Sequence, residues 1–135
     1  MIKQVFQVEH YWEVIVFYSL DYDLFDVVEK DLLNNGASQD VLEEIYYMMY
    51  YGKAKAATYN NFHLHTSVVL FNRHKSKEDY LNSIVHEAEH IKQAMLKAYK
   101  VEDEGEPPAY TIGYLVMKMW SVFKNIVCQS CDINP

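Results

Sequence analysis

Helical periodicity runs through most of the C-terminal half of the chain, and this feature most limits the folds available to it. The segment Ser76-Lys77-Glu78-Asp79 resembles a capping box and predicts a helix that continues to about Tyr99. A second helix is predicted from about Pro107 to Val127, because prolines are tolerated in a first helical turn. Two long amphipathic helices need an apolar surface to cover, and the N-terminal half must supply it.

The N-terminal half is predicted to contain that surface as strands. Residues 11–20, 56–59 and 64–71 are rich in strand-forming side chains, and Asn60-Asn61 between the last two runs indicates a hairpin turn. A helix is predicted from the acidic residues at 21–26 to Asn34-Asn35-Gly36, and another from the N-cap Ser38 to Gly52. This order predicts an α+β domain with a small antiparallel or mixed sheet of about three strands packed on helices.

Length and composition restrict the classes of protein. The 135 residues form one expected domain, 1–135, and the net charge of −7 without clustered Lys or Arg argues against a nucleic-acid partner. No apolar run approaches the roughly 20 residues that span a bilayer, and the N-terminus lacks a signal-peptide pattern. The 2 cysteines are too few for a disulfide framework. We therefore expect a cytoplasmic protein with no membrane partner.

One segment in the predicted helix points to metal chemistry. His86-Glu87-Ala88-Glu89-His90 matches H-E-x-x-H, a spacing that projects both imidazoles from one helix face towards a single ion. Glu87 is placed to accept a proton from a metal-bound water. On a helical wheel the two histidines lie opposite the apolar stripe, which comprises Leu81, Ile84, Val85, Ala88, Ile91 and Met95. The alternative is a solvated polar face with two chance histidines.

A third ligand is expected at the start of the last helix. Two antiparallel helices with a short connection would return Glu106 to the metal face, with the small residues Ala109 and Gly113 allowing close approach. Tyr110 would then point into the same cleft and stabilise an oxyanion, a role for which His63 and His65 are alternatives. Glu106 is otherwise a plain first-turn carboxylate. The acidic residues at 102–104 compete with it as ligands.

A helix bearing H-E-x-x-H followed by a second helix with a Glu resembles the gluzincin branch of the zinc metallopeptidases. The segment Gly105-Glu106-Pro107-Pro108-Ala109-Tyr110 is similar to that of small stand-alone zincin-like proteins of bacterial prophages and mobile elements. The resemblance covers about residues 66–127. It implies a zincin-like fold, zinc held by His86, His90 and Glu106, and Glu87 as general base. It also implies that residues 66–71 form the edge strand along which an extended peptide is held.

Three other patterns leave alternatives open. Cys128 and Cys131 form a C-x-x-C pair that is interpreted as chance thiols on a loose tail, with a shared zinc or a redox role as alternatives. His63 and His65 share a face if they lie on a strand. The tyrosine-rich run at 46–51 is interpreted as mainly packing, which leaves a homo-oligomeric contact open.

The sequence therefore predicts a zinc-dependent metallopeptidase or amide hydrolase that acts on a peptide or protein substrate. The alternative is a catalytically inactive zincin-fold protein that serves binding or assembly in a phage or mobile element. Zinc is the expected cofactor because two imidazoles and a carboxylate suit it, although manganese, nickel or iron also fit such ligands.

Overall fold

The structure, a computed structural model, describes the backbone of residues 2–9, 11–20, 24–52 and 54–133, and their side chains except at Leu20 and 127–133. Within these ranges the chain forms a four-stranded mixed sheet and four helices. In chain order the elements are β1 (Ile2–Val8), β2 (Trp12–Leu20), α1 (Phe25–Asn34), α2 (Gln39–Tyr51), β3 (Ala56–Asn61), β4 (Thr66–Asn72), α3 (Lys77–Tyr99) and α4 (Glu106–Ile133).

The sheet has the strand order β1-β2-β4-β3, so β2 and β4 are internal and β1 and β3 lie at the edges. β2 runs antiparallel to β1 and parallel to β4, and β3 is antiparallel to β4. The predicted α+β class is confirmed, but the sheet has one strand more than expected. The additional strand is β1, in which only Phe6 and Val8 are buried, so its sequence carries little of the usual alternation.

Helices cover both faces of the sheet. Val14, Val16, Val69 and Phe71 pack against α3 and α4, whereas the alternate residues Ile15, Phe17, Val68 and Leu70 pack against α1 and α2. Because β2 and β4 are buried on both sides, they have continuous apolar runs rather than alternating patterns. Each large apolar side chain removed from water in this way contributes about 1.5–3 kcal/mol.

The two long helices divide one face of the sheet between them. α4 lies over β1 and β2, where Gln4 Nε2 donates to the Lys118 carbonyl at 3.0 Å and Gln4 Oε1 accepts from the Tyr18 hydroxyl at 2.6 Å. α3 lies over β4 and β3, where the Thr58 hydroxyl donates to Glu87 Oε1 at 2.9 Å. α4 therefore contacts one flank of α3, and β3 lies near the other flank.

Several predicted boundaries shift. The turn of the β3–β4 hairpin lies at residues 62–65, and Asn60 and Asn61 belong to β3. The predicted capping residues are confirmed, since Ser38 Oγ accepts from the Val41 N–H at 3.3 Å and Ser76 Oγ accepts from the Asp79 N–H at 3.1 Å. The expected acidic start at 21–23 lies outside the described residues. Among the described helices, none has the length and apolar character to cross a membrane.

Candidate metal centre

The two histidines of the H-E-x-x-H segment lie together on an exposed face of α3. The distance between His86 Nε2 and His90 Nε2 is 3.2 Å, and the two rings are inclined at 76°. Bonds of 2.0–2.1 Å from a tetrahedral zinc would hold two nitrogens about 3.3 Å apart. In the absence of an ion, the same separation suits a hydrogen bond from one Nε2–H to the other nitrogen. The separation therefore suits both chelation of one divalent ion and a hydrogen bond between the two rings.

Glu87 occupies the neighbouring face of α3 and is buried, with 4% of its surface exposed. Its Oε1 accepts the hydrogen bond from Thr58, which belongs to the edge strand β3. Thr58 faces α3 because strand residues alternate, and its neighbours Ala57 and Tyr59 pack on the opposite face of the sheet. The glutamate thus lies between the motif helix and the edge strand.

A row of polar groups continues along the same side of the sheet. The Trp12 indole N–H donates to Ser67 Oγ at 2.8 Å, and the Ser67 hydroxyl donates to Asn60 Oδ1. Asn60 Nδ2 in turn lies 3.5 Å from the backbone carbonyl of His90. Sequence reasoning missed Thr58, Asn60 and Ser67. The signal available in the sequence was that Thr58 and Asn60 alternate with the larger Tyr59 in a predicted strand. The structure adds that this strand packs against the motif helix.

The expected position of the edge strand is wrong. Residues 66–71 were expected at the edge, but they lie in β4, which pairs with both β2 and β3. The strand that borders the motif helix at the margin of the sheet is β3. Its outer backbone groups have no neighbouring strand among the described residues, so any extended peptide added to this margin would pair with β3 rather than β4.

The structure does not bring Glu106 to the histidine pair. α3 continues from His90 to Tyr99 before the chain turns, which is about 13 Å of helix at 1.5 Å per residue. His86 and His90 lie about one turn after Ser83 and Glu87 on α3. Glu87 contacts Thr58 of β3, so this side of α3 is near β3, whereas α4 contacts the other flank. In the ranges that the structure describes, no group of three or more His, Cys, Asp or Glu side chains is placed to hold a metal ion.

The other groups at the start of α4 also differ from expectation. Glu106 is an exposed residue in the first turn, as the simpler interpretation of this carboxylate predicts. Tyr110 is 71% exposed. Ala109 and Gly113 are exposed rather than packed between the helices, and the contact with α3 and the sheet is made by Leu115, Met119 and Phe123. Asp103, a competing ligand, forms an ion pair with Lys92 at 2.9 Å.

Among the described side chains, the other histidines do not complete a metal site with the pair. His63 and His65 lie in the hairpin turn rather than on a strand, and the His65 ring stacks on Trp12 with a centroid distance of 5.4 Å. His10 lies outside the described residues. α4 extends through positions 128 and 131, so these cysteines belong to a helix rather than a loose tail, although their side chains lie outside the described part.

His74 makes a separate contact with α3. Its Nδ1 lies 2.7 Å from the Asn72 carbonyl and its Nε2 lies 2.7 Å from Ser83 Oγ. Desolvation by burial lowers the pKa of His74 below its ordinary value of 6.5. A neutral ring with Nδ1–H donating to the carbonyl and Nε2 accepting from the serine satisfies both contacts. These bonds attach the β4–α3 connection to the helix.

Comparisons with known proteins do not identify a family. No family model matches the chain, and neither a curated protein nor a solved structure shows a significant match.

Proposed function

We propose that this protein is a metal-dependent hydrolase of peptide or amide bonds, with His86 and His90 as ligands of a zinc ion. The observation that carries the proposal is the 3.2 Å distance between the two Nε2 atoms on an exposed helix face. Glu87, adjacent in sequence and buried beside the edge strand, supplies the acid–base group that such a reaction needs. Imidazole nitrogens are suitable ligands for a divalent ion, and the pair would supply two of them.

Zinc bound at the pair would supply Lewis-acid polarisation of the scissile carbonyl and activation of water at neutral pH. Glu87 would accept a proton from the attacking water and later deliver it to the leaving amine. The Thr58 hydroxyl engages Oε1 of that carboxylate and so fixes its orientation against β3. The outer side of β3 would align an extended substrate chain through backbone hydrogen bonds.

A second function is favoured because the described side chains contain no third ligand beside the pair. Because Glu106 is not assembled with His86 and His90, the chain can instead be a binding or assembly protein, as of a phage or mobile element, that retains a metal-binding helix without catalysis. The open margin of β3 suits that role equally, since it can accept a strand from a partner.

Metal analysis of protein purified without an affinity tag tests the ligand assignment. We expect about one zinc per chain, lost in His86→Ala and in His90→Ala. His63→Ala is the matched control, because this exposed histidine lies in the hairpin turn outside the pair. Absence of zinc from the unaltered protein, even after incubation with zinc, would contradict both the ligand assignment and the hydrolase proposal.

The Glu106→Gln variant tests whether Glu106 is a zinc ligand, as the sequence predicts, or lies away from the ion, as the structure indicates. Glu106 lies away from the pair in the structure, so we expect the zinc affinity of this variant to equal that of the unaltered protein. A large loss of affinity would show instead that Glu106 closes the site.

Catalysis is tested by Glu87→Gln in a peptide-library cleavage assay. The substitution should leave zinc bound and abolish cleavage, because an amide cannot take the proton from water. Cleavage at an unchanged rate would remove Glu87 from the mechanism. Zinc binding without any cleavage by the unaltered protein would favour the binding or assembly function.

A further inference from the structure

The outer face of α2 carries four tyrosines that remain on the surface after the helix has buried its apolar side. Tyr46, Tyr47, Tyr50 and Tyr51 are 38%, 53%, 49% and 58% exposed. Tyr46 stacks on Tyr50 and Tyr47 stacks on Tyr51, with centroid distances of 6.0 and 5.8 Å. We call these four residues the tyrosine patch. Ring pairs one turn apart are held in register by the helix itself, so the patch is a preformed aromatic surface.

Every charged side chain of α2 itself is acidic, whereas Lys53 and Lys55 follow the helix in sequence. Asp40, Glu43 and Glu44 are exposed on the same helix, one to two turns before the tyrosines. The sequence of α2 contains no Lys, Arg or His, and its last turn carries no basic residue. The carbonyl end of a helix adds a partial negative charge at the side where the tyrosines lie. Acidic side chains, helix dipole and aromatic faces all favour a cation over an anion.

Arginine fits this combination best among protein cations. Its planar guanidinium stacks on tyrosine rings, keeps its charge, and gives up hydration more readily than the lysine ammonium. A second copy of this chain cannot supply an arginine-rich segment, because Arg73 is its sole arginine and its net charge is −7. Nucleic acids and anionic lipid surfaces would be repelled by the acidic side chains.

We propose that the tyrosine patch binds an arginine-rich segment of another protein. α2 packs on the face of the sheet opposite α3, so this surface is separate from the histidine pair and does not depend on metal or hydrolysis. The aromatic faces supply the stacking, and Glu43 and Glu44 supply the attraction that brings the segment to the helix.

Fluorescence anisotropy with the full chain tests the proposal. The probe is a labelled synthetic peptide of arginine-glycine-glycine repeats, and the same peptide with lysine in place of arginine is the comparison. We expect the arginine peptide to bind more tightly than the lysine peptide, and its affinity to fall as salt is raised. Combined Tyr47→Ser and Tyr51→Ser substitutions should weaken binding by about tenfold, since two exposed stacking contacts are removed.

Two further variants complete the design. Tyr11→Ser, at a 70% exposed tyrosine in the turn between β1 and β2, should leave binding unchanged. Combined Glu43→Gln and Glu44→Gln should weaken binding and reduce its dependence on salt. Circular dichroism of each variant should show unchanged helix content, because the altered side chains are exposed.

Four outcomes would overturn the proposal. One is no binding of the arginine peptide by the unaltered protein. The second is equal affinity for the lysine and arginine peptides, unaffected by the tyrosine substitutions. The third is salt-independent binding of a neutral oligosaccharide that the tyrosine substitutions abolish, which would assign the patch to carbohydrate. The fourth is self-association that the same substitutions abolish, which would assign it to a second copy.

Discussion

Replacing Thr58 with Val measures how firmly the edge strand holds the glutamate of the motif. Valine has nearly the same shape and suits a strand, so the change removes one hydroxyl and little packing. Glu87 is 4% exposed and its Oε1 accepts from Thr58 at 2.9 Å, so the carboxylate loses a partner that water cannot readily replace. Hydrogen bonds to charged groups contribute about 1.5–3 kcal/mol, and we expect the free energy of unfolding to fall by that amount.

Urea unfolding of four proteins tests this value: the unaltered chain, Thr58→Val, Glu87→Gln and the double variant. In the Glu87→Gln background the same hydroxyl meets a neutral acceptor, so Thr58→Val should cost about 0.5–1.5 kcal/mol. Thr111→Val is the control, because the buried Thr111 donates to a neutral acceptor, the Pro107 carbonyl, at 2.9 Å. A Thr58→Val cost no larger than that of Thr111→Val, with no coupling to Glu87, would refute the reasoning.

Three further predictions concern stability. Burial lowers the pKa of His74, so its contribution to the free energy of unfolding should be complete above pH 6.5 and lost as the pH falls below that value. The free energy of unfolding of His74→Gln, measured in urea, should therefore fall less steeply with acid. Gly52→Ala should cost about 1–2 kcal/mol, because φ is +63° there but an added Cβ meets nothing within 4 Å. When the two glycine variants are compared by thermal unfolding, Gly36→Ala should cost more. Its φ is +82°, and the Cβ would lie 2.9 Å from Asn61 Nδ2, which a hydrogen bond to the Asn35 carbonyl holds in place. Equal melting temperatures for the two glycine variants would contradict the predicted clash.

Local signals in the sequence were sufficient for most of the helices. Ser38 and Ser76 accept from backbone N–H groups at the positions expected of N-caps, and Gly52 adopts the left-handed conformation that ends α2. Strand positions were harder to predict. β1 lies at an edge with few buried side chains. Asn61 is the last residue of β3, although its Oδ1 accepts from the His63 and Leu64 N–H groups of the hairpin turn at 2.9 Å.

The spacing of residues in the sequence predicted only part of the candidate site. An i,i+4 pattern fixes the relation between His86 and His90, because both lie on one helix, and the structure confirms that they meet. The position of Glu106 depends on the length of α3 beyond the motif and on the flank that α4 occupies. The end of α3 near Tyr99 was predicted from the sequence, whereas the flank is set by packing on the sheet. There α4 lies over β1, a strand that the sequence analysis did not predict. Glu87 likewise faces Thr58 because of the tertiary arrangement of β3.

The parallel pairing of β2 with β4 governs how quickly this protein can fold. Trp12 and Ser67, which are hydrogen-bonded across these two strands, lie 55 positions apart in the chain. Helices and the β3–β4 hairpin form from local contacts within microseconds, whereas the central pair must first close a long loop. Formation of the sheet centre is therefore the slow step that we expect, and until it occurs the apolar runs of both central strands stay exposed to other chains.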